Sequence, residues 1–132
     1  MKAKKKVTAK YAEKKFLDAC ENLREQKDLG FTSCIENRIE KTKYLLLVKG
    51  KEYVRNNDRF HNFNRVAEMD RITPTRALHG MLAKHLSNYL DLIDDVDRGI
   101  MPSLAAIEER FGDIIVYMML QEALIKQTIR TK

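Results

Sequence analysis

Helix breakers are scarce in this chain, and their scarcity constrains its fold more than any other feature. Only two prolines and five glycines occur among 132 residues. An all-β sandwich, with a tight turn every few residues, cannot be built from so few turn formers. The breakers that exist stand between long segments of helical character. Thr73-Pro74 reads as a helix start, Thr capping and Pro in the first turn, where its missing N–H costs nothing. Arg98-Gly99-Ile100-Met101-Pro102 reads as a stop followed by a start.

Between these marks the apolar spacing predicts helices near 9–27, 34–54, 73–97 and 102–129. Gly50 is expected to bend or end the second, at a cost of about 1 kcal/mol relative to Ala. Asp28–Ser33 reads as a connection. In the polar stretch 55–72, Asn56-Asn57-Asp58 is a turn composition, and Phe60, Phe63, Val66 and Ala67 suit a short helix anchored by its rings. The fold class expected is all-α, four-helix-bundle-like and mostly antiparallel. We expect a flexible basic tail over residues 1–9 and a single helical domain over 10–132.

Net charge is +6, but residues 1–27 carry nine bases and four acids, so +5 of it belongs to the N-terminal arm. Residues 2–15 are therefore a candidate nucleic-acid contact, weighed against a merely solvated tail, and the basic pI says little about the fold itself. No stretch approaches the roughly 20 apolar residues of a membrane span. The Lys-rich start lacks the apolar core of a secretory signal. Cys20 and Cys34 form no metal or redox spacing, so we expect ordinary thiols in a cytoplasmic protein.

Charged residues on apolar faces are the informative ones. On the last helix, at about 100° per residue, Val116, Leu120, Ala123, Leu124, Ala105 and Ala106 fall within roughly 60° of Glu109. Asp113 lies about 40° away in the same arc. Two carboxylates turned into packing need a divalent cation, a basic partner from a facing helix, or protonation, unless the arc is a solvated edge. Paired carboxylates suit Mg²⁺, with Mn²⁺ possible. On the third long helix His85 lies within the face of Leu78, Leu82, Tyr89, Leu92, Ile93 and Val96, beside Asn88, with Asp91, Asp95 and Lys84 at its edge. Its alternatives are a hydrogen-bonded core histidine and a site residue. Glu52, over Val48 and Leu45, is an inward acid or an exposed helix-end one. No Gly-rich phosphate loop, H-E-x-x-H or paired Cys/His spacing is present.

Residues 45–125 carry a sequence of features: Lys49-x-x-Glu52-Tyr53, Asp58-Arg59-x-x-Asn62-Phe63, Thr73-Pro74, Lys84-His85, Asp91, Glu108-Glu109-x-x-x-Asp113 and Tyr117. This stretch resembles small phage proteins of nucleotide metabolism. Glu108–Ile115 is similar to the second acidic motif of the MazG-like all-α nucleoside triphosphate pyrophosphohydrolases. The E-E-x-x-E motif of that superfamily is absent, and in place of its E-x-x-D three residues, not two, stand between Glu109 and Asp113.

The resemblance implies a helix bundle that holds Mg²⁺ and splits a nucleoside triphosphate into monophosphate and pyrophosphate. In that reading Glu109, Asp113 and Glu52 are the metal ligands. Glu52 or Asp91 orients the water. Lys49, Lys84 and Arg59 meet phosphates, His85 completes the site, Asn62 reads a base edge, and Tyr53 or Phe63 stacks on the base. The rival expectation is a non-catalytic helical adaptor or inhibitor that binds a host protein or nucleic acid. It rests on the basic arm and on a second apolar face of the last helix: Ile107, Phe111, Ile114, Met118 and Ile125. That face also leads us to expect a dimer.

Overall fold

A computed structural model describes residues 9–25 and 30–132. The tail expected over residues 1–9 lies outside these apart from Ala9, as do Asp28 and Leu29 of the connection expected over Asp28–Ser33, whose last three residues belong to a helix. The described residues are all-α, with five α-helices: α1 (Ala9–Glu25), α2 (Phe31–Lys43), α3 (His61–Asp70), α4 (Pro74–Asp97) and α5 (Leu104–Arg130). They divide into two compact units, Met1–Glu52 and Tyr53–Lys132.

In the first unit, α1 packs on α2 and on the segment that continues it. The single helix expected over 34–54 starts earlier, at Phe31, and changes its hydrogen bonding twice. A π-helical turn spans Tyr44–Val48 and a 3-10 turn spans Lys49–Tyr53. Gly50 sits in the tighter turn, so the break expected there is a change of helical pitch.

The second unit is a three-helix packing in which α4 contacts both α3 and α5. Its entry is a two-residue hairpin. Asn56 and Asn57 have φ of 51° and 59°, and Arg55 and Asp58 exchange backbone hydrogen bonds of 2.8 and 3.2 Å. Asparagine tolerates the left-handed region better than other side chains that are not glycine, which is why this pair can make the turn. Asp58 then ties the hairpin to α3: its Oδ1 accepts from the Phe60 N–H at 2.8 Å and its Oδ2 from Asn64 Nδ2 at 2.7 Å.

Helix α4 begins as the sequence predicts. Thr73 Oγ1 accepts from the Arg76 N–H at 3.2 Å, with Pro74 in the first turn. It ends at Gly99 (φ 78°), where the Gly99 N–H reaches Val96 O and the Ile100 N–H reaches Asp95 O, a Schellman closure. For α5 the expected opening at Pro102 shifts by two residues, because Ser103 is the cap and its Oγ accepts from the Ala106 N–H at 3.1 Å.

Phe60, Leu78 and Leu124 form the buried centre, with Phe63, Tyr117 and Leu120 packed around it. The ring anchors expected at Phe60 and Phe63 are therefore core: their centroids lie 6.3 Å apart, and Phe63 meets Tyr117 edge-on at 6.4 Å. Each fully buried aliphatic or aromatic side chain here stabilises the unit by about 1.5–3 kcal/mol.

Candidate active site

Four contacts set the register of α4 against α5. Gln121 Nε2 donates to Thr75 O at 3.3 Å, Arg110 donates to Asn88 O at 3.1 Å, the Tyr89 and Phe111 rings meet at 5.5 Å, and His85 faces Asp113 and Tyr117. Residue numbers rise on one helix as they fall on the other, so the pair is antiparallel. That register puts the one histidine on the α4 apolar face opposite an acid on α5.

His85 Nδ1 stands 3.4 Å from Asp113 Oδ2. The imidazole side chain is 19% exposed and the carboxylate 40%, so the pair sits at the edge of the packing, in reach of water. The His85 ring lies against the Tyr117 ring at 4.6 Å with an interplanar angle of 36°. Tyr117 follows Asp113 by one helical turn, which aims both side chains at the same groove. Burial pushes the Tyr117 phenol above its ordinary value, and the Asp113 carboxylate and then the Tyr53 phenol push it further the same way. Asp113, His85, Tyr117 and Tyr53 thus form one electrostatically connected group. Its carboxylate bears on the histidine through Nδ1, and Nε2 has no hydrogen-bond partner among the described residues.

The remaining candidates are placed as follows. Glu109 is exposed on α5, because the inward arc of that helix is centred on Asp113, Tyr117, Leu120 and Leu124. Asp91 and Lys84 are exposed on α4, Asn62 is exposed on α3, and Arg59 is half-buried just before it. Asp91 lies about 240° around α4 from His85, so the two do not share a face. Tyr53, 54% exposed, begins the second unit, while Lys49 and Glu52 are exposed residues of the first.

The donor set for a cation can be judged within the second unit. Among the described residues no group of three or more His, Cys, Asp or Glu side chains is placed to hold a metal ion. Glu109 and Asp113 remain, one turn apart, with Asp113 already facing His85. Two carboxylates do not make a protein cage. A divalent cation met by only two protein carboxylates would keep most of its water, a condition that Mg²⁺ tolerates.

Two features had no role assigned from the sequence: Tyr117, which stands there only among the residues of the resemblance, and the link between Asp58 and Asn64. Tyr117 carries a signal in retrospect, standing four residues beyond an inward acid. The Asp58–Asn64 link carries none, since it depends on the hairpin turning back onto α3. Beside the site, Phe111, Met118 and Ile125 are 37%, 52% and 44% exposed, which leaves the second apolar face of α5 partly open. No described helix is long and apolar enough to cross a membrane.

No family model, curated protein or solved structure matches the chain.

Proposed function

We propose that the chain is a nucleotide hydrolase of the pyrophosphohydrolase type, with its acid–base centre at His85 and Asp113. The observation that carries this reading is their meeting at 3.4 Å in the α4–α5 groove, two residues singled out independently on different helices. The resemblance of Glu108–Ile115 to the second acidic motif of the MazG-like enzymes supports the substrate class.

Asp113 acts on Nδ1 and so orients the imidazole, leaving Nε2 to take a proton from an attacking water. The new bond joins that water oxygen to the α-phosphorus of a nucleoside triphosphate. The α–β bridging bond breaks, pyrophosphate leaves, and the monophosphate remains. Tyr117, a neutral phenol whose pKa burial raises further, donates its O–H to a phosphate oxygen. Lys84 and Arg59 supply positive charge on the approach, and Tyr53 offers a ring to the base. Mg²⁺, carried in on the phosphates and met by Glu109 and Asp113, would supply charge neutralisation.

The test is pyrophosphate release from a panel of ribo- and deoxynucleoside triphosphates with Mg²⁺. A general base contributes about 10²–10⁴ in rate, so His85→Gln and Asp113→Asn should each lower kcat about 100-fold or more with the fold retained. Wild-type chain inert toward the whole panel, or His85→Gln as fast as wild type, overturns the reading.

The exposed Phe111, Met118 and Ile125 favour a second one, a non-catalytic helical adaptor that uses this face for a second copy of the chain or for a host protein. Light scattering distinguishes a dimer from a monomer. Partner binding that survives Asp113→Ala, but is salt-sensitive and weakens when Lys4, Lys5 and Lys6 are replaced, supports the adaptor.

A further inference from the structure

The first unit contains a cleft that the proposed hydrolase chemistry does not use. It lies between α1 and the α2–π segment, has a volume of about 340 Å³, and is about half open to solvent. That volume falls in the range of small-molecule sites. One wall is a face-to-face ring stack, Phe16 on Tyr44, with centroids 4.4 Å apart and planes 12° from parallel. Tyr11, Leu47 and Val48 extend the apolar lining.

The second observation is helical. Tyr44, Leu47 and Val48 all belong to the π-helical turn Tyr44–Val48. A π-turn is less favourable than the α-helix it interrupts and recurs at functional sites. Here its residues face the cleft. Tyr11 and Leu47 are 57% and 60% exposed at its mouth, apolar surface that an occupant would take out of water.

The third is charge. Lys15, Lys43 and Glu40 line the same cleft. Glu40 lies 3.4 Å from Lys43, a solvent-screened pair, which leaves an excess of one positive charge at an otherwise apolar rim.

We propose that this cleft binds a small aromatic monoanion, its ring laid against the Phe16–Tyr44 stack and Leu47 and its anionic group at Lys15 and Lys43. A neutral aromatic would leave the rim charge unmet, and a nucleotide's several charges exceed what the rim balances.

The experiment titrates the full chain with 1-naphthoate and with its uncharged analogue 1-naphthamide, by calorimetry and by NMR. One-to-one binding of naphthoate is expected. A rim charge pair worth at most about 1 kcal/mol should make naphthoate roughly three- to fivefold tighter than the amide. Lys15→Gln should erase most of that preference while leaving amide binding unchanged, and Leu47→Trp, which fills the cleft, should abolish both. Intermolecular NOEs from the naphthoate ring to Tyr44 and Leu47 of the wild-type chain locate the ligand even if a variant fails to fold. No binding, equal affinity for acid and amide, or NOEs to other residues overturns the proposal. None of these outcomes depends on nucleotide hydrolysis.

Discussion

Asp113 on α5 presents Oδ2 to Nδ1 of His85 on α4 at 3.4 Å, and this contact links the two longest helices of the second unit. Its length and the 40% exposure of the carboxylate make it an edge interaction, screened by water. A double-mutant cycle on Asp113→Asn and His85→Gln, read from urea midpoints, should give a coupling of no more than about 1 kcal/mol. A much larger effect on kcat than on stability would then separate chemistry from architecture. Coupling above about 2 kcal/mol would show a pair buried more deeply than this.

Tyr117 should titrate late. Burial is the first cause of its raised pKa and Asp113 the second. Above the ordinary tyrosine value of 10.0 the unfolded chain gives up this proton while the folded chain keeps it. The native state then binds more protons, so stability falls as pH rises from there toward the raised value. Phenolate absorbance should show one tyrosine lagging the others, and Tyr117→Phe should remove both the laggard and its share of the alkaline decline. Asp113→Asn should move the lagging tyrosine partway back, with burial holding the remainder.

Helix existence was legible in the sequence because breakers and caps act locally. Thr73-Pro74 and Gly99 mark their helix ends within a residue or two. The π-turn at Tyr44–Val48 was not, since Gly50 signals a disturbance without saying which hydrogen-bond pattern absorbs it. Of the two acids read as inward on α5, their common arc alone could not tell which faced a neighbour. The partner helix decides that, and the α4 register places Asp113 at His85 and leaves Glu109 exposed. The role of Tyr117 became visible only with that same register. Long-range pairings such as Arg110 to Asn88 have no trace in local pattern.

Two helix ends close in the same way with different residues. Ile72 N–H reaches Ala67 O at 3.0 Å and Arg71 N–H reaches Glu68 O at 3.4 Å, matching the closure of α4 at Gly99. Arg71, at φ 55°, occupies the left-handed position that Gly99 fills at 78°. A side chain there costs about 1 kcal/mol. Arg71→Gly should therefore raise stability by about 0.5–1 kcal/mol, less than the full strain because glycine loosens the unfolded chain. Gly99→Ala should lower it by about 1 kcal/mol. An added Cβ at Gly99 meets no atom within 4 Å, so that loss would be purely conformational. Thermal melts of the two variants should move in opposite directions.

Asp58 uses both carboxylate oxygens, on the Phe60 N–H and on Asn64 Nδ2. Asp58→Ala leaves the Phe60 N–H, just before α3, and the Asn64 side-chain amide without their acceptor and should cost about 1–2 kcal/mol. Asp58→Asn keeps a carbonyl oxygen for the N–H and should cost less. Hydrogen exchange should localise the loss to α3, with the Phe60 and Asn64 amides losing protection first.

Among the described residues Leu78 is the most completely enclosed side chain, with no exposed surface, and it meets Phe60 and Leu124 where α3, α4 and α5 converge. Leu78→Ala should cost about 2–5 kcal/mol, since three helices have to collapse onto one cavity. Leu90, on the same helix and 60% exposed, removes the objection that any leucine-to-alanine change weakens α4. Leu90→Ala should stay within about 0.5 kcal/mol in the monomer, because alanine also favours the helix. If Leu90→Ala proved as costly as Leu78→Ala and its effect grew with protein concentration, the exposed side of α4 would be covered by another copy of the chain. The paired measurement therefore reports on both the core and the unoccupied face.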